Sequence, residues 1–228
     1  MGAIKNQNEL DEMYGRTARR YNLLNRVMTF GLDRRVRRAA SASARPGRIL
    51  DVGSGTGVST AELARAHPGS TIVGIDRSVG MLRFAAPSAA GTYVRADVRT
   101  LPFRDGVFES AVAGFVFRPI EGDRAAVEEI YRVLKPGGRA VIYDVLRVPT
   151  GVFGFFYRLG LAVYVPLCAF ILADDPSAYL YFTRSIRESL TAEELAERFG
   201  RAGFSAVAIK RMIFGTVTIL TADKPVDA

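Results

Sequence analysis

Apolar and polar positions divide the chain into two regimes. Between residues 6 and 43, Leu10, Met13, Tyr14, Tyr21, Leu24, Val27 and Met28 recur at roughly helical spacing. That spacing predicts two or three helices with basic outer faces, a break at Gly31, a new start at Asp33 and a turn at "ARPG" (44–47). From Arg48 onward short apolar runs alternate with helical stretches. "RILDVG" is a strand and "VSTAELARAH" a helix stopped at "HPG". "STIVGID" is a second strand, and "SVGMLRFAA" a helix with Ser78 as its cap. "TYVRADV" and "GVFESAVAGFVF" hold the next two strands. "DRAAVEEIYRVL" is a helix, "KPGG" a turn and "RAVIYDVL" a fifth strand. Such alternation at crossover spacing predicts a parallel sheet with helices on both faces. After an apolar insertion, "TAEELAERFGRAGF" is a helix opened by a Thr191/Glu194 capping box and closed by "GF". "SAVAIKRMIFGTVTILTA" then folds around Gly215 as an antiparallel hairpin at the sheet edge. The expectation is an α/β fold with a mostly parallel seven-stranded sheet and an antiparallel C-terminal strand.

Composition narrows the function classes. Apolar residues make up 49% of the chain, too many for a disordered one. Cys168 and His67 stand alone, which excludes a disulfide framework and the usual Cys/His zinc site, so a reducing compartment and no metal are expected. Residues 1–20 lack the apolar core of a secretory signal, which points to the cytoplasm. The net charge is +8, and its placement matters more than its size. Residues 1–48 hold eleven Lys/Arg against four Asp/Glu, while the remainder is nearly balanced. Two readings stand: attraction to an anionic surface, lipid or nucleic acid, or an arginine-rich solvated helix face.

The strongest chemical signal is "LDVGSGTG" (50–57), which follows a strand and opens a helix. Gly53, Gly55 and Gly57 let the backbone approach a ligand, and the helix N-terminus offers free N–H groups. A dinucleotide site has the same arrangement. Three acids turn the reading elsewhere. Asp51 precedes the glycines, where it would repel a pyrophosphate but suits an ammonium or sulfonium. Asp76 ends the second strand, where an acid takes both hydroxyls of a ribose. Asp97 ends the third, where it or its neighbour meets an adenine amino group. Each alone also reads as a cap or turn residue. Together they fit S-adenosylmethionine, a nucleoside with a cationic amino-acid tail.

"LDVGSGTG", "GID", "ADV", "LPFRDGVFESAV" and "YRVLKPGG" resemble, in order and spacing, the class I methyltransferases with their Rossmann-like fold. "MYGRTARRYNLLNRVMTFGLDRR" (13–35), "ADDPSAYLYFTRSIR" (173–187) and "LAERFGRAGF" (195–204) are similar to the ubiquinone/menaquinone C-methyltransferases, which methylate a ring carbon of a polyprenylated quinol. The resemblance covers about residues 12–225. It implies that Thr56, Asp76, Asp97 and Val98 contact the donor and that Arg118, in "FVFRP", serves catalysis. Arg77, Gly114, Tyr14 and Tyr21 complete the candidate donor set, with Tyr21 and Asp144 joining Arg118 as catalytic candidates. Phe115, Phe117, Phe153, Phe156, Tyr157, Tyr164 and Tyr179 are candidates for the acceptor pocket. Three departures fall where the family meets its acceptor: Pro119 replaces an asparagine, Leu220 a histidine, and "ESLTAEE" a PDQ stretch. A paralogue with another lipophilic acceptor therefore stays open. An RNA methyltransferase has less support, since no Asn/Asp-Pro-Pro-aromatic motif follows strand four and Cys168 sits in an apolar stretch. A non-catalytic protein that binds the cofactor is the third reading.

The chain reads as a single domain. Residues 1–45 are a basic helical cap, 46–148 the donor-binding core, 149–190 an apolar helical insertion and 191–228 the closing helix and hairpin. Within the insertion the uncharged run Leu159–Ala173 is fifteen residues, short of the about twenty that a spanning helix needs. Core helix is one reading. The preferred one is an apolar wall of the acceptor pocket that touches the inner face of an anionic membrane. The expected partners are a lipophilic small molecule and that membrane surface, with no specific nucleic acid. The oligomeric state is not legible.

Overall fold

β1 (Arg48–Val52) is buried from its second residue onward, as consecutive apolar positions require of a central strand. It lies in a seven-stranded sheet with β2 (Thr71–Asp76), β3 (Thr92–Arg95), β4 (Phe108–Gly114), β5 (Leu134–Asp144), β6 (Ser205–Met212) and β7 (Val217–Asp223). The computed structural model describes residues 18, 22, 26, 31–85, 91–117, 123–147, 186, 188–213 and 215–227. Tyr14, Tyr21, Arg118, Phe153, Phe156, Tyr157, Tyr164 and Tyr179 lie outside the described residues, as does nearly all of the 149–190 insertion. Among the described residues no helix is long and apolar enough to cross a membrane.

The strand order is β3-β2-β1-β4-β5-β7-β6. β1 to β5 run parallel, and β7 is antiparallel to both of its neighbours. The direction of strand progression reverses between β1 and β4. In open α/β sheets a crevice forms outside the carboxyl ends of the strands at such a reversal, and ligands bind there. The fold thus places the glycine loop after β1 next to the exit of β4.

Five helices are defined among the described residues: α1 (Asp33–Ser43), α2 (Val58–Ala66), α3 (Val79–Ala85), α4 (Asp123–Val133) and α5 (Ala192–Arg201). Val36 and Ala40 of α1 and Leu63 of α2 pack with Val141, Tyr143 and Ile219 on one side of the sheet. On the other, Val127 and Ile130 of α4 and Leu195 and Phe199 of α5 meet Leu50, Ala113, Ile142 and Leu220. Full burial of each such side chain stabilises by roughly 1.5–3 kcal/mol, so both helical layers are held to the sheet. The capping box forms as expected: Glu194 N–H donates to Thr191 Oγ1 at 3.2 Å, and Thr191 N–H donates to Glu194 Oε2 at 2.8 Å. Ser78 caps α3, its hydroxyl oxygen accepting Met81 N–H at 3.4 Å.

"KPGG" departs from a simple turn. β5 starts before it, at Leu134, and the partner register jumps from Phe108↔Leu134 to Ser110↔Arg139. The four residues bulge from the ladder, with Gly137 at φ +75°. Gly137 N–H donates to Lys224 O at 3.0 Å, and Lys224 N–H to Gly138 O at 2.9 Å, so the bulge is clamped by the chain just beyond β7. β6 forms the outer edge, largely exposed and carrying Lys210 and Arg211, which guard it against pairing with another chain.

Candidate active site

The glycine loop is built around Asp76. Its Oδ2 accepts Gly55 N–H at 2.9 Å and its Oδ1 accepts Ser78 N–H at 2.8 Å. One carboxylate thereby fixes both the loop after β1 and the turn into α3. Ser54 N–H donates to Ile75 O at 2.8 Å, and Gly57 N–H to Ser54 O at 2.9 Å, which completes the turn. Gly55 (φ +54°) adopts a left-handed conformation that an L side chain resists, although a Cβ there would meet only Gly53 O, at 3.9 Å. Gly53 is left-handed too, and a Cβ on it would overlap Val116 Cγ2 from the exit of β4. Thr56 Oγ1 donates to Asn22 Oδ1 at 2.8 Å. Sequence reasoning missed Asn22; its place inside the N-terminal motif was the only signal.

Asp51 lies beneath this loop, wholly buried. Its Oδ2 accepts the Thr60 hydroxyl at 2.6 Å. Its Oδ1 has no hydrogen-bond partner among the described residues, nor does the buried hydroxyl of Ser54. Buried polar atoms left unmatched among the described residues are costly and call for a partner, whether a ligand or an ordered water. Burial pushes the Asp51 carboxyl up to about 7, with the nearby Asp76 charge adding to the rise; the Thr60 hydrogen bond and Arg37 oppose it. In the unfolded chain the same group titrates near 3.8. The folded state therefore holds an extra proton between these two values, and this stabilisation is lost as pH rises through about 7. Asp51→Asn should flatten that loss: relative to wild type, the variant gains stability between pH 5 and pH 8. Denaturant titrations at the two pH values measure it, and an identical pH dependence in both proteins would contradict the assignment.

A second buried polar group adjoins Asp51. Arg37 Nη1 of α1 donates to Ser59 Oγ at 2.6 Å and to Tyr143 Oη at 3.3 Å, and Ser59 and Tyr143 share a 2.6 Å hydrogen bond. Burial raises the Tyr143 phenol above its ordinary range, against the pull of Arg37. Phe115, at φ +60°, sets its ring edge-on to Tyr143 with centroids 5.2 Å apart. A non-glycine residue in this conformation is strained, and such strain gathers at functional sites.

The remaining sites distribute unevenly. Asp97 lies beyond β3, which ends at Arg95, and its carboxylate is held by Arg77 at 3.0 Å and Arg99 at 2.6 Å. Partial burial works to raise its pKa, but the Arg99 hydrogen bonds and the Arg77 charge outweigh it and hold the group below its ordinary value. Arg77 is therefore turned toward Asp97. Val98 is buried behind it. Gly114 is glycine for packing: a Cβ there would overlap the Tyr143 ring and hydroxyl. Phe117 is buried in the α4/α5-side core, its ring 5.9 Å from that of Phe199, whereas Phe115 stays half-buried near the crevice. Asp144 is buried at the end of β5, with Oδ1 accepting Val145 N–H at 2.7 Å. Leu220, expected on the acceptor side, lies wholly buried in the core opposite Ile142 and Ile209. His67 caps the far end of α2 and meets Ser41 O at 2.8 Å, away from the strand carboxyl ends.

These features gather acids at the ends of β1 and β2 and beyond β3, around a glycine loop with unmatched polar atoms, at the switch point of the sheet. The model of the ubiE/COQ5 methyltransferase family matches residues 1–224. A demethylmenaquinone methyltransferase of Mycolicibacterium gilvum is 37% identical over 224 residues, covering 97% of each chain. The ubiquinone/menaquinone biosynthesis C-methyltransferase UbiE of Desulfotalea psychrophila is 36% identical over 220 residues, 92% of this chain and 88% of that one. Among solved structures, a SAM-dependent methyltransferase of Thermotoga maritima described as a possible histamine N-methyltransferase aligns with a TM-score of 0.66 at 18% identity, covering 93% of this chain and 98% of that one. The [4+2]-cyclase SpnF aligns with a TM-score of 0.65 at 22% identity, over 84% and 81%. These two likenesses speak to the fold, which hosts unlike activities.

Proposed function

The chain belongs to the ubiE/COQ5 methyltransferase family, and on that premise we propose that it methylates a ring carbon of a lipophilic, demethylmenaquinol-like quinol in quinone biosynthesis, with S-adenosylmethionine as donor. The observation that carries the donor assignment is the buried Asp51, with an oxygen unmatched among the described residues, under a glycine loop that Asp76 holds in place. A bound S-adenosylmethionine supplies a methyl group already activated for transfer. Asp51 and Ser54 would hold its amino-acid end, Gly53, Gly55 and Thr56 its middle, and Asp76 its ribose. Because the Asp97 carboxylate is taken by two arginines, the adenine falls to the backbone at Asp97 and Val98.

The chain's own task is then to align the acceptor, exclude water and manage a proton. A quinol carbon becomes nucleophilic as its phenol ionises. Arg118 stays protonated, so it serves by stabilising the phenolate, while the phenolic proton, and then the one that the methylated ring carbon sheds, leave to water. Asp144 is buried and already accepts a backbone N–H, which makes Arg118 the stronger assignment. Phe115, half-buried beside the crevice, would meet the acceptor. The basic segment 1–48 gives the enzyme its attraction to an anionic membrane, where a prenylated acceptor resides.

Incubation with isotopically labelled S-adenosylmethionine and a reduced quinone extract tests this. A labelled methyl on a prenylated quinol is the expected product, and Arg118→Ala should lower turnover about tenfold while donor affinity stays near wild type. Label in a different lipid would favour the paralogue suggested by Pro119. No labelled product from any lipid fraction would sink the catalytic reading.

A further inference from the structure

Arg37 is a buried cation in a layer of packing. It is only 7% exposed, enclosed by α1, α2 and the sheet. A guanidinium in such a place is costly unless its partners are well matched, and an apolar side chain would serve packing as well. Its partners are specific. Besides Ser59 and Tyr143, its Nε lies 3.6 Å from Asp33 Oδ2, and its Cζ stands 5.3 Å from the Phe115 ring centre. Ser59 and Thr60 are consecutive residues in the first turn of α2, the helix that the glycine loop opens. Ser59 receives Arg37, and Thr60 reaches Asp51 at 2.6 Å. Two hydroxyls thus join a buried cation on α1 to a buried acid on β1, while Phe115 ties the same cation to the exit of β4.

We propose that Arg37 is a positioning residue of the donor site: it docks α1 onto the first turn of α2 and sets a fixed positive charge behind Asp51, so that Asp51 can face the cationic tail of the donor. This rests on the donor reading given above. Among the described residues, the charged and titratable groups about Asp51 are Arg37, with Asp33 beside it, from α1, Asp76 from β2 and the Tyr143 phenol from β5, while α2 contributes the hydroxyls of Ser59 and Thr60. Of these Arg37 alone is a cation. Its removal disfavours the Asp51 anion, whereas lysine at the same place preserves the charge but not the planar fork.

Infrared difference spectroscopy of the ligand-free protein follows the Asp51 carboxyl through its titration, with Asp51→Asn identifying the band. In Arg37→Gln the midpoint should rise by about one pH unit, a tenfold change in proton affinity. In Arg37→Lys it should stay near wild type. Calorimetry with S-adenosylmethionine should then show about tenfold weaker binding for Arg37→Gln near neutral pH, with recovery at higher pH and in Arg37→Lys. A merely structural role would lower affinity equally at every pH. An unmoved midpoint in Arg37→Gln, or a uniform loss, would overturn the proposal. Ser59→Ala, which removes the 2.6 Å partner, gives a second reading if Arg37→Gln does not fold: a smaller upward shift supports the link and none refutes it. Wild-type protein whose Asp51 titrates but which binds no donor at any pH would defeat the donor reading, and the ligand-free titration would still decide the Arg37–Asp51 link.

Discussion

Asp76→Ala is expected to weaken S-adenosylmethionine binding by about a hundredfold. The carboxylate accepts N–H groups from Gly55 and Ser78, so its loss frees the glycine loop and the start of α3 together. Hydrogen bonds to a charged group contribute roughly 1.5–3 kcal/mol each, and a loop left unordered must be ordered again when the ligand binds. A combined loss of about 3 kcal/mol corresponds to two decades in Kd. Asp76→Asn retains one acceptor oxygen and should lose about tenfold. Calorimetric titration measures both. Unchanged affinity in Asp76→Ala would remove Asp76 from the site and the ribose from its assigned place.

Gly114→Ala should destabilise the protein by about 3 kcal/mol, the upper part of the usual range for overpacking. The added methyl would coincide with the Tyr143 ring, which is fully buried between α1, α2 and the sheet. Tyr143 cannot move aside without breaking its bonds to Ser59 and Arg37. For a chain of this size the melting temperature should fall by about 6–12 °C. Tyr143→Phe should not relieve the clash, because a ring carbon is overlapped as well as the hydroxyl. Tyr143→Leu should, and the double variant should be more stable than the sum of the two single losses implies. Strict additivity in a thermal-denaturation cycle would show that the clash is absorbed elsewhere.

Local signals carried much of the fold. The capping box at Thr191 and Glu194, the Ser78 cap, and the alternation of strand and helix depend on near neighbours in the chain, so they could be read from it. Asp76 was legible for the same reason: a strand, a terminal acid and a glycine loop at crossover distance define its place. What could not be read depends on contacts across the fold. Arg37, Ser59 and Tyr143 lie far apart in sequence and meet only when α1 docks. The left-handed turn at Phe115 breaks the alternation beyond β4, and Phe117 enters the core while Phe115 stays near the crevice. The hairpin at the edge was expected, but nothing local decides which of its strands lies inside. Pairing puts β7 there, and with it Leu220 among core residues.

The placement of β7 has a consequence for synthesis. β1 to β5 and the glycine loop leave the ribosome first, yet one side of β5 stays unpaired until residues 217–223 emerge. Until then the nascent chain displays Ala140, Val141, Ile142 and Tyr143, all buried in the finished protein, along an open strand edge. Such an edge invites pairing with other chains, and long-range closure is the slow part of folding a sheet of this kind. The glycine loop and its strands are thus synthesised before the strand that covers the β5 edge. Translation stalled before Val217 would leave β5 without its antiparallel neighbour and its apolar edge uncovered.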